Sequence, residues 1–248
     1  MELKLHNLED LKIDENIDWI EYYKYNKAHL LKLDFGDSTI TEEEKLLITP
    51  SIRAFQLGEG SDGKRLLAAV GRNKIIGNDI LEATPYFISE ENRHSSTLKI
   101  FMDHEGIIQS KGNKLDSVFR FLRSRIGLQC QVNVLVTAEM IALSYYTVLS
   151  SATKSDLLKT ICTQMLQDEL THIVYQSRIL RTLSTPRNKF SNILINISRK
   201  ILMNITLIVV YNSYKNIFKE VGCSYKELRK TSLGYLKQSM EIVSPKSS

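Results

Sequence analysis

Two short stretches of the sequence combine an acid and an imidazole at the same spacing. Glu91 precedes His94 by three positions in EENRH, and Glu169 precedes His172 by three positions in DELTH. On an α-helix, residues three apart lie about 60° from each other around the axis and roughly 4.5 Å along it, so both side chains can reach one point in space. A carboxylate and an imidazole that meet in this way can chelate a metal ion. None of the other three histidines has an acid at that position.

Both pairs fall on the apolar faces of the helices that the sequence predicts around them. A charged side chain in a core demands a partner. The apolar positions at helical spacing around the two pairs are Phe87, Ile88, Leu98 and Phe101 for the first and Leu158, Cys162, Met165, Leu166 and Ile173 for the second.

Two single glutamates have comparable positions in the preceding helical segments. Glu139 is the sole acid of LQCQVNVLVTAEMIALSYYTVL, and Glu59 lies in FQLGEGSDGKRLL. Antiparallel neighbours bring two side chains to one level when both are equally far from the connecting turn. The midpoint of Glu59 and Glu91 is residue 75, and that of Glu139 and Glu169 is residue 154, so each acid lies about 16 residues, or ~24 Å, from its turn. The chain therefore contains a degenerate repeat of a helix with one Glu and a helix with Glu-x-x-His.

This set of residues resembles a known ligand arrangement, because ferritin-like diiron and dimanganese bundles use one Glu from two helices and Glu-x-x-His from the other two. EENRH and DELTH look like the two metal motifs of the soluble ferritin-like diiron oxygenases, and EENRH is most similar to acyl-carrier-protein desaturases. The resemblance covers roughly residues 51–180. It implies two Fe ions, or a Mn/Fe pair, bound by Glu59, Glu91, His94, Glu139, Glu169 and His172.

The resemblance also implies a function. We expect an O2-dependent diiron oxidoreductase that hydroxylates, desaturates or N-oxygenates a small or carrier-protein-bound organic substrate, with O2 as co-substrate and an external electron donor such as a ferredoxin. A ferroxidase or other iron-handling protein uses the same ligands and is the alternative. A helical interaction protein with a buried salt network ranks last, because four buried carboxylates and two histidines are expensive to bury without metal.

Further residues are expected to support the metal ligands. Metal-bound imidazoles donate their second N–H to a carboxylate, and the resemblance assigns Asp168 to His94. Glu90 either serves His172 in the same way or is solvated. Candidate substrate-pocket residues lie within a turn of a ligand on the inward face, although each is also an ordinary core position: Phe55, Phe87, Val136, Ala142, Tyr146, Met165 and Ile173.

The sequence predicts an all-α fold, since 11 Gly and 4 Pro in 248 residues leave room for long helices. We expect a ferritin-like four-helix bundle at residues 51–183, an N-terminal lead-in at 1–50 whose Thr41 caps a helix, and C-terminal helices at 184–248. The expected bundle helices run over about 51–70, 78–106 and 128–149 and from residue 157 until Pro186, and two further helices are expected near 188–220 and 224–243. A short amphipathic piece, LDSVFRFLRSR, lies in the long connection.

The remaining composition limits the partners and the compartment. A net charge of +5 without a basic stripe predicts no nucleic-acid binding. Three scattered cysteines and the lack of a secretory signal favour the cytoplasm. ILMNITLIVV at 201–210 is too short for a membrane span and is expected to be a buried helix, and a monomer or homodimer is expected.

Overall fold

The computed structural model describes residues 1–35, 39–60, 63–110, 112, 127–184 and 189–244, with the backbone alone for 189–192. The described part is all-α, as the sequence predicts, and it contains no β-strand. LDSVFRFLRSR lies outside the described residues. The helices are α1 (Trp19–Ala28), α2 (Glu42–Glu59), α3 (Lys64–Gly71), α4 (Asn78–His104), α5 (Leu128–Ala152), α6 (Asp156–Leu183), α7 (Lys189–Ser213), α8 (Lys215–Glu220) and α9 (Tyr225–Val243).

Helix ends that carry a capping residue in the sequence are confirmed. The Thr41 hydroxyl accepts a hydrogen bond from the Glu44 backbone N–H at 3.2 Å, and Ser155 caps α6 in the same way. Gly106 follows α4 with a positive φ of 68°, a conformation that favours glycine. The Glu44 carboxylate accepts hydrogen bonds from Thr153 and from the backbone of the α5–α6 turn. The start of α2 is thereby fixed to that turn.

The helix predicted over residues 51–70 is wrong, because the chain forms two helices there. Helix α2 begins at Glu42 and ends at Glu59, so the predicted boundary between residues 50 and 51 lies inside it. A Cβ on Gly60 would lie 3.0 Å from the Ser95 hydroxyl, which shows how closely the backbone approaches α4 at this point. Gly63 has a φ of 60° and precedes α3. Glycines at these positions let the chain turn where a continuous helix was expected.

The four long helices α2, α4, α5 and α6 form a closed ring of contacts, in which α2 meets α4 and α5, and α6 meets α4 and α5. Helix α1 packs on the outside of α4, and α9 packs on α5, α6 and α7. The centre of the ring is apolar, with buried side chains such as Ile52, Leu98, Leu143 and Ile173. Buried acids and imidazoles interrupt this apolar centre, among them Glu139, Glu169, His94 and His172.

Within the described part of the chain, two helices are long and apolar enough to cross a membrane by length and composition. Helix α5 is mostly buried in the core, whereas only 28% of the apolar window at 193–213 of α7 is buried. The prediction that ILMNITLIVV is a buried helix is therefore wrong for one of its faces. Ile201, Ile205 and Ile208 are exposed, while Met203 and Leu207 are buried.

Candidate metal centre

Four side chains from the two Glu-x-x-His motifs converge inside the ring. One ligand atom from each of Glu91, His94, Glu169 and His172 lies within 4.8 Å of all the others. His94, Glu169 and His172 are buried, and the Glu91 side chain is 14% exposed. Helices α4 and α6 each supply one motif, and their three-residue spacing turns both members toward the other helix.

The two imidazoles use their ring nitrogens in the same way. Nε2 of His94 donates to Asp168 Oδ2 at 2.9 Å, and Nε2 of His172 donates to Glu90 Oε2 at 3.1 Å. Each Nδ1 consequently faces the other motif. Because the hydrogen bond at Nε2 fixes the rotation of each ring, both Nδ1 atoms point into the cluster.

Glu169 connects the two imidazoles. Its Oε1 lies 3.3 Å from Nδ1 of His94, and its Oε2 lies 3.3 Å from Nδ1 of His172. Oε1 of Glu91 lies 2.8 Å from Nδ1 of His172. Each motif thus places its carboxylate against the histidine of the other one, and the two oxygens of Glu169 contact both imidazoles.

The hydrogen bonding of three inward atoms tests whether these side chains could bind a metal. Glu91 Oε1, His94 Nδ1 and Glu169 Oε1 are buried and have no hydrogen bond of acceptable geometry among the described residues. Buried polar atoms in proteins are almost always partnered. Ring nitrogens and carboxylate oxygens can bind one divalent cation together, and mixed oxygen and imidazole ligation suits Fe or Mn. The donors present therefore fit the metal pair expected from the sequence.

The two single glutamates border the cluster and are buried, at 7% exposed for Glu59 and 3% for Glu139. The Tyr146 hydroxyl donates to Glu59 Oε1 at 2.5 Å, and the Gln176 amide donates to Glu139 Oε1 at 2.6 Å. Burial raises the pKa of both carboxyls well above its usual value, and the charges of the motif glutamates raise it further. Glu139 also shares a hydrogen bond with Glu169.

The surroundings of both imidazoles favour their protonated forms in the metal-free cluster. Burial acts to lower the pKa of His94 and His172, but hydrogen bonds and charges from Asp168, Glu169, Glu91 and Glu90 outweigh it and raise both pKa values well above normal. Burial acts to raise the pKa of Glu169, and its two imidazole partners lower it instead. Protons on the imidazoles offset part of the charge of the acid cluster, and metal binding would replace them.

Glu90 and Asp168, the acids that bond the two Nε2 atoms, are tied together by one cation. Arg93 forms ion pairs with Glu90 and, at 3.3 Å, with Asp168. Asn26 of α1 donates to Glu90, and Gln164 donates to the second oxygen of Asp168. Although burial opposes it, the His172 hydrogen bond and the Arg93 charge lower the pKa of Glu90 to about 2. Glu90 is 2% exposed, so the solvated alternative for this residue is wrong.

Sequence reasoning missed five of these supporting residues: Asn26, Arg93, Gln164, Tyr146 as a donor to Glu59, and Gln176. Spacing does provide a signal for Gln176, which lies one turn after His172 and two turns after Glu169 on the same face of α6. Arg93 follows Glu90 at helical spacing. Nothing in the sequence pairs Asn26 or Tyr146 with its acid, because those contacts join different helices.

The seven candidate pocket residues lie in or beside the core around the cluster. The Phe87 ring is 4.9 Å from the His172 ring, and the partly buried Phe55 stacks on Tyr145 at 3.6 Å. Tyr146 is the hydroxyl donor already described. The other four are buried aliphatic or thioether side chains: Val136, Ala142, Met165 and Ile173. An apolar wall thus surrounds the acids and imidazoles, and its role toward a substrate stays a prediction.

Comparison with known proteins provides no relative for this chain. No protein-family model matches it, and neither does any curated protein or solved structure. The activity must therefore be inferred from the six inward side chains and their surroundings.

Proposed function

We propose that this chain is a non-haem diiron oxidoreductase of the ferritin-like type, with α2, α4, α5 and α6 as its four-helix bundle. The observation that carries the proposal is the orientation of the two imidazoles. An outer carboxylate holds each Nε2, and each Nδ1 faces a shared pair of carboxylates. Glu91 Oε1, His94 Nδ1 and Glu169 Oε1 lie in ion-pair contact with the other motif but make no hydrogen bond of acceptable geometry, which supports their being directed at a shared cation.

Charge balance supports two divalent ions rather than one. The proposed inner ligands are four carboxylates and two neutral imidazoles, so two divalent cations neutralise the inner set completely. Arg93 offsets part of the charge of the two outer acids. Oxygen and nitrogen donors favour Fe, with a Mn/Fe pair as the alternative, over a metal that prefers thiolates.

A bound iron pair supplies the electrons and Lewis acidity for O2 activation. The protein's own residues control the surroundings. Outer acids keep both imidazoles oriented through their Nε2 protons, and Tyr146 holds a proton at its hydroxyl against Glu59. Phe87, Ile173 and Met165 exclude water from the cluster, which lowers the local dielectric and protects an oxidant from quenching.

The substrate that this wall favours is an apolar organic molecule or chain. Hydroxylation, desaturation and N-oxygenation can all use the same inner ligands. The proposed reaction class, O2-dependent oxidation of an organic substrate, therefore includes all three. Electrons would come from an external donor, since two electrons from a diferrous pair serve one turnover and must then be replaced. A small redox protein such as a ferredoxin has the required chemistry.

The test is metal content combined with O2 consumption. Protein loaded anaerobically with ferrous iron should bind about two Fe per chain. His172→Ala and Glu91→Gln should lower that number, because each removes an inward donor. His29→Ala and Glu82→Gln are matched controls, since each makes the same substitution at an exposed position outside the cluster. His29 follows α1, and Glu82 lies in α4. Both controls should keep the wild-type iron content.

Oxygen uptake then separates the proposed oxidoreductase from iron handling. A reductant and an acyl or amine substrate should give repeated O2 consumption with a stoichiometric oxidised organic product. Iron accumulated in large excess over two per chain, with O2 uptake proportional to added iron, would support the ferroxidase alternative. Iron content unaffected by His172→Ala would refute the metal site itself.

A further inference from the structure

Helix α7 has an exposed apolar face that the packing of the chain does not cover. Isoleucines recur every fourth position from residue 193 to residue 205, which places them on one ridge of the helix. About half of each side chain is exposed, as for Ile201 at 53% and Ile205 at 57%. The exposed apolar residues of this face, called the α7 stripe below, are Ile193, Leu194, Ile197, Ile201, Ile205, Ile208 and Val209.

The opposite face of α7 is already used by the core. Met203, Leu207 and Val210 are buried against α5 and α9, and Arg199 donates to Asn133 of α5 at 2.8 Å. A helix on the surface of a soluble domain normally has polar residues on its outer face. Because one face is fixed to the protein, α7 must lie along any apolar surface that it enters, with its axis parallel to that surface.

Cations accompany the α7 stripe, and acids do not. The sequence contains no Asp or Glu between residues 189 and 219. Lys200 is exposed next to Ile201, and exposed Arg229 of α9 donates to Asn204 of α7 at 2.7 Å. Lys215 and Lys219 follow the stripe and are exposed. An apolar face with basic residues beside it is typical of a helix that lies in the interface of an anionic lipid bilayer.

A second copy of the chain fits this face less well. Antiparallel pairing of two stripes about Ile201 would bring the two Lys200 side chains together near the symmetry axis. Like charges in such a contact are costly when they lose water. We propose that the α7 stripe docks the protein on anionic lipid membranes, with the isoleucines entering the acyl boundary and the cations contacting lipid headgroups. This surface does not depend on the metal centre.

Vesicle sedimentation tests the proposal directly. The full-length protein should sediment with vesicles of equimolar phosphatidylcholine and phosphatidylglycerol, and much less with phosphatidylcholine alone. Changing both Ile201→Gln and Ile205→Gln should weaken binding roughly twentyfold, since each half-exposed isoleucine contributes about fivefold. Lys200→Gln with Arg229→Gln should also weaken it roughly twentyfold, at about fivefold per cation, and added salt should reduce wild-type binding.

Matched controls change the same residue types elsewhere on the surface. Leu46→Gln with Ile108→Gln removes two exposed aliphatic side chains, and Lys74→Gln with Lys99→Gln removes two exposed cations. Both control proteins should bind anionic vesicles as the wild type does. Equal binding to neutral and anionic vesicles, or none to either, would overturn the proposal. So would a dimer by light scattering without lipid that Ile201→Gln with Ile205→Gln converts to a monomer, because the stripe would then be covered by a second copy.

Discussion

Replacing Asp168 tests how the outer acids control the metal ligands. Oδ2 of Asp168 accepts from His94 Nε2 at 2.9 Å and from Arg93 at 3.3 Å, and its Oδ1 accepts from Gln164. Asp168→Asn retains one oxygen for His94 but loses the charge and turns an amide N–H toward another donor. A hydrogen bond to a charged acceptor contributes about 1 kcal/mol more than a neutral one. We therefore expect about fivefold weaker iron binding.

Asp168→Ala removes the acceptor altogether and should cost more. The His94 ring would lose the contact that fixes its orientation, and loss of such a partner costs up to about a hundredfold in metal affinity. Anaerobic titration of ferrous iron against a chelator of known affinity measures both variants. Asp103→Asn is the control, because Asp103 is an exposed acid of α4 that forms an ion pair with Lys99, away from the cluster. Circular dichroism should show unchanged helix content in all three.

The graded result distinguishes an orienting acid from a merely structural one. Glu90→Gln should weaken iron binding in the same way through His172, to which Glu90 is bonded at 3.1 Å. If Asp168→Ala folds normally and binds iron as tightly as the wild type, His94 does not need its outer acid. The assignment of Nδ1 as the metal-facing atom would then be refuted.

Three further predictions follow from contacts at and near the centre. Tyr146→Phe removes the donor to Glu59 and leaves a buried carboxylate oxygen unpaired, so urea unfolding of the metal-free protein should show a loss of about 1–3 kcal/mol. Neighbouring acids raise the pKa of His94 and His172 well above normal, which favours their protonated forms, whereas metal ligation needs neutral imidazoles. Calorimetry in buffers of different ionisation enthalpy should therefore detect proton release on iron binding, and the affinity for iron should fall as pH falls. Leu143→Ala creates a cavity in the core and should lower the free energy of unfolding by about 2–5 kcal/mol, measured by the same urea titration.

Local signals in the sequence were sufficient for most helix positions and for the inward side chains. Thr41, Ser155 and Gly106 cap or end helices through contacts with their immediate neighbours, so their residue types predict the boundaries. The Glu-x-x-His spacing depends only on the helical repeat. For that reason the motifs on α4 and α6 could be placed before any tertiary contact was known.

Contacts between helices could not be predicted in the same way. The rotation of each helix about its axis decides that Tyr146 meets Glu59 and that Asn26 meets Glu90, and a sequence pattern leaves this rotation open within a turn. The break at Gly60 also depends on a neighbour, since a Cβ at that position would lie 3.0 Å from the Ser95 hydroxyl, closer than ordinary van der Waals contact. The exposure of the outer face of α7 likewise follows from which helices happen to pack on it.

Helix α1 has a consequence for how this protein can be shortened. Asn26 donates to Glu90, and the Tyr23 ring lies 6.3 Å from the His172 ring, so the first helix insulates one wall of the centre from water. A fragment beginning at residue 51 would lose that insulation and most of the first turns of α2. Truncation at this place would expose the cluster to water and loosen the packing around it. The protein would then lose iron although the removed segment contributes no ligand.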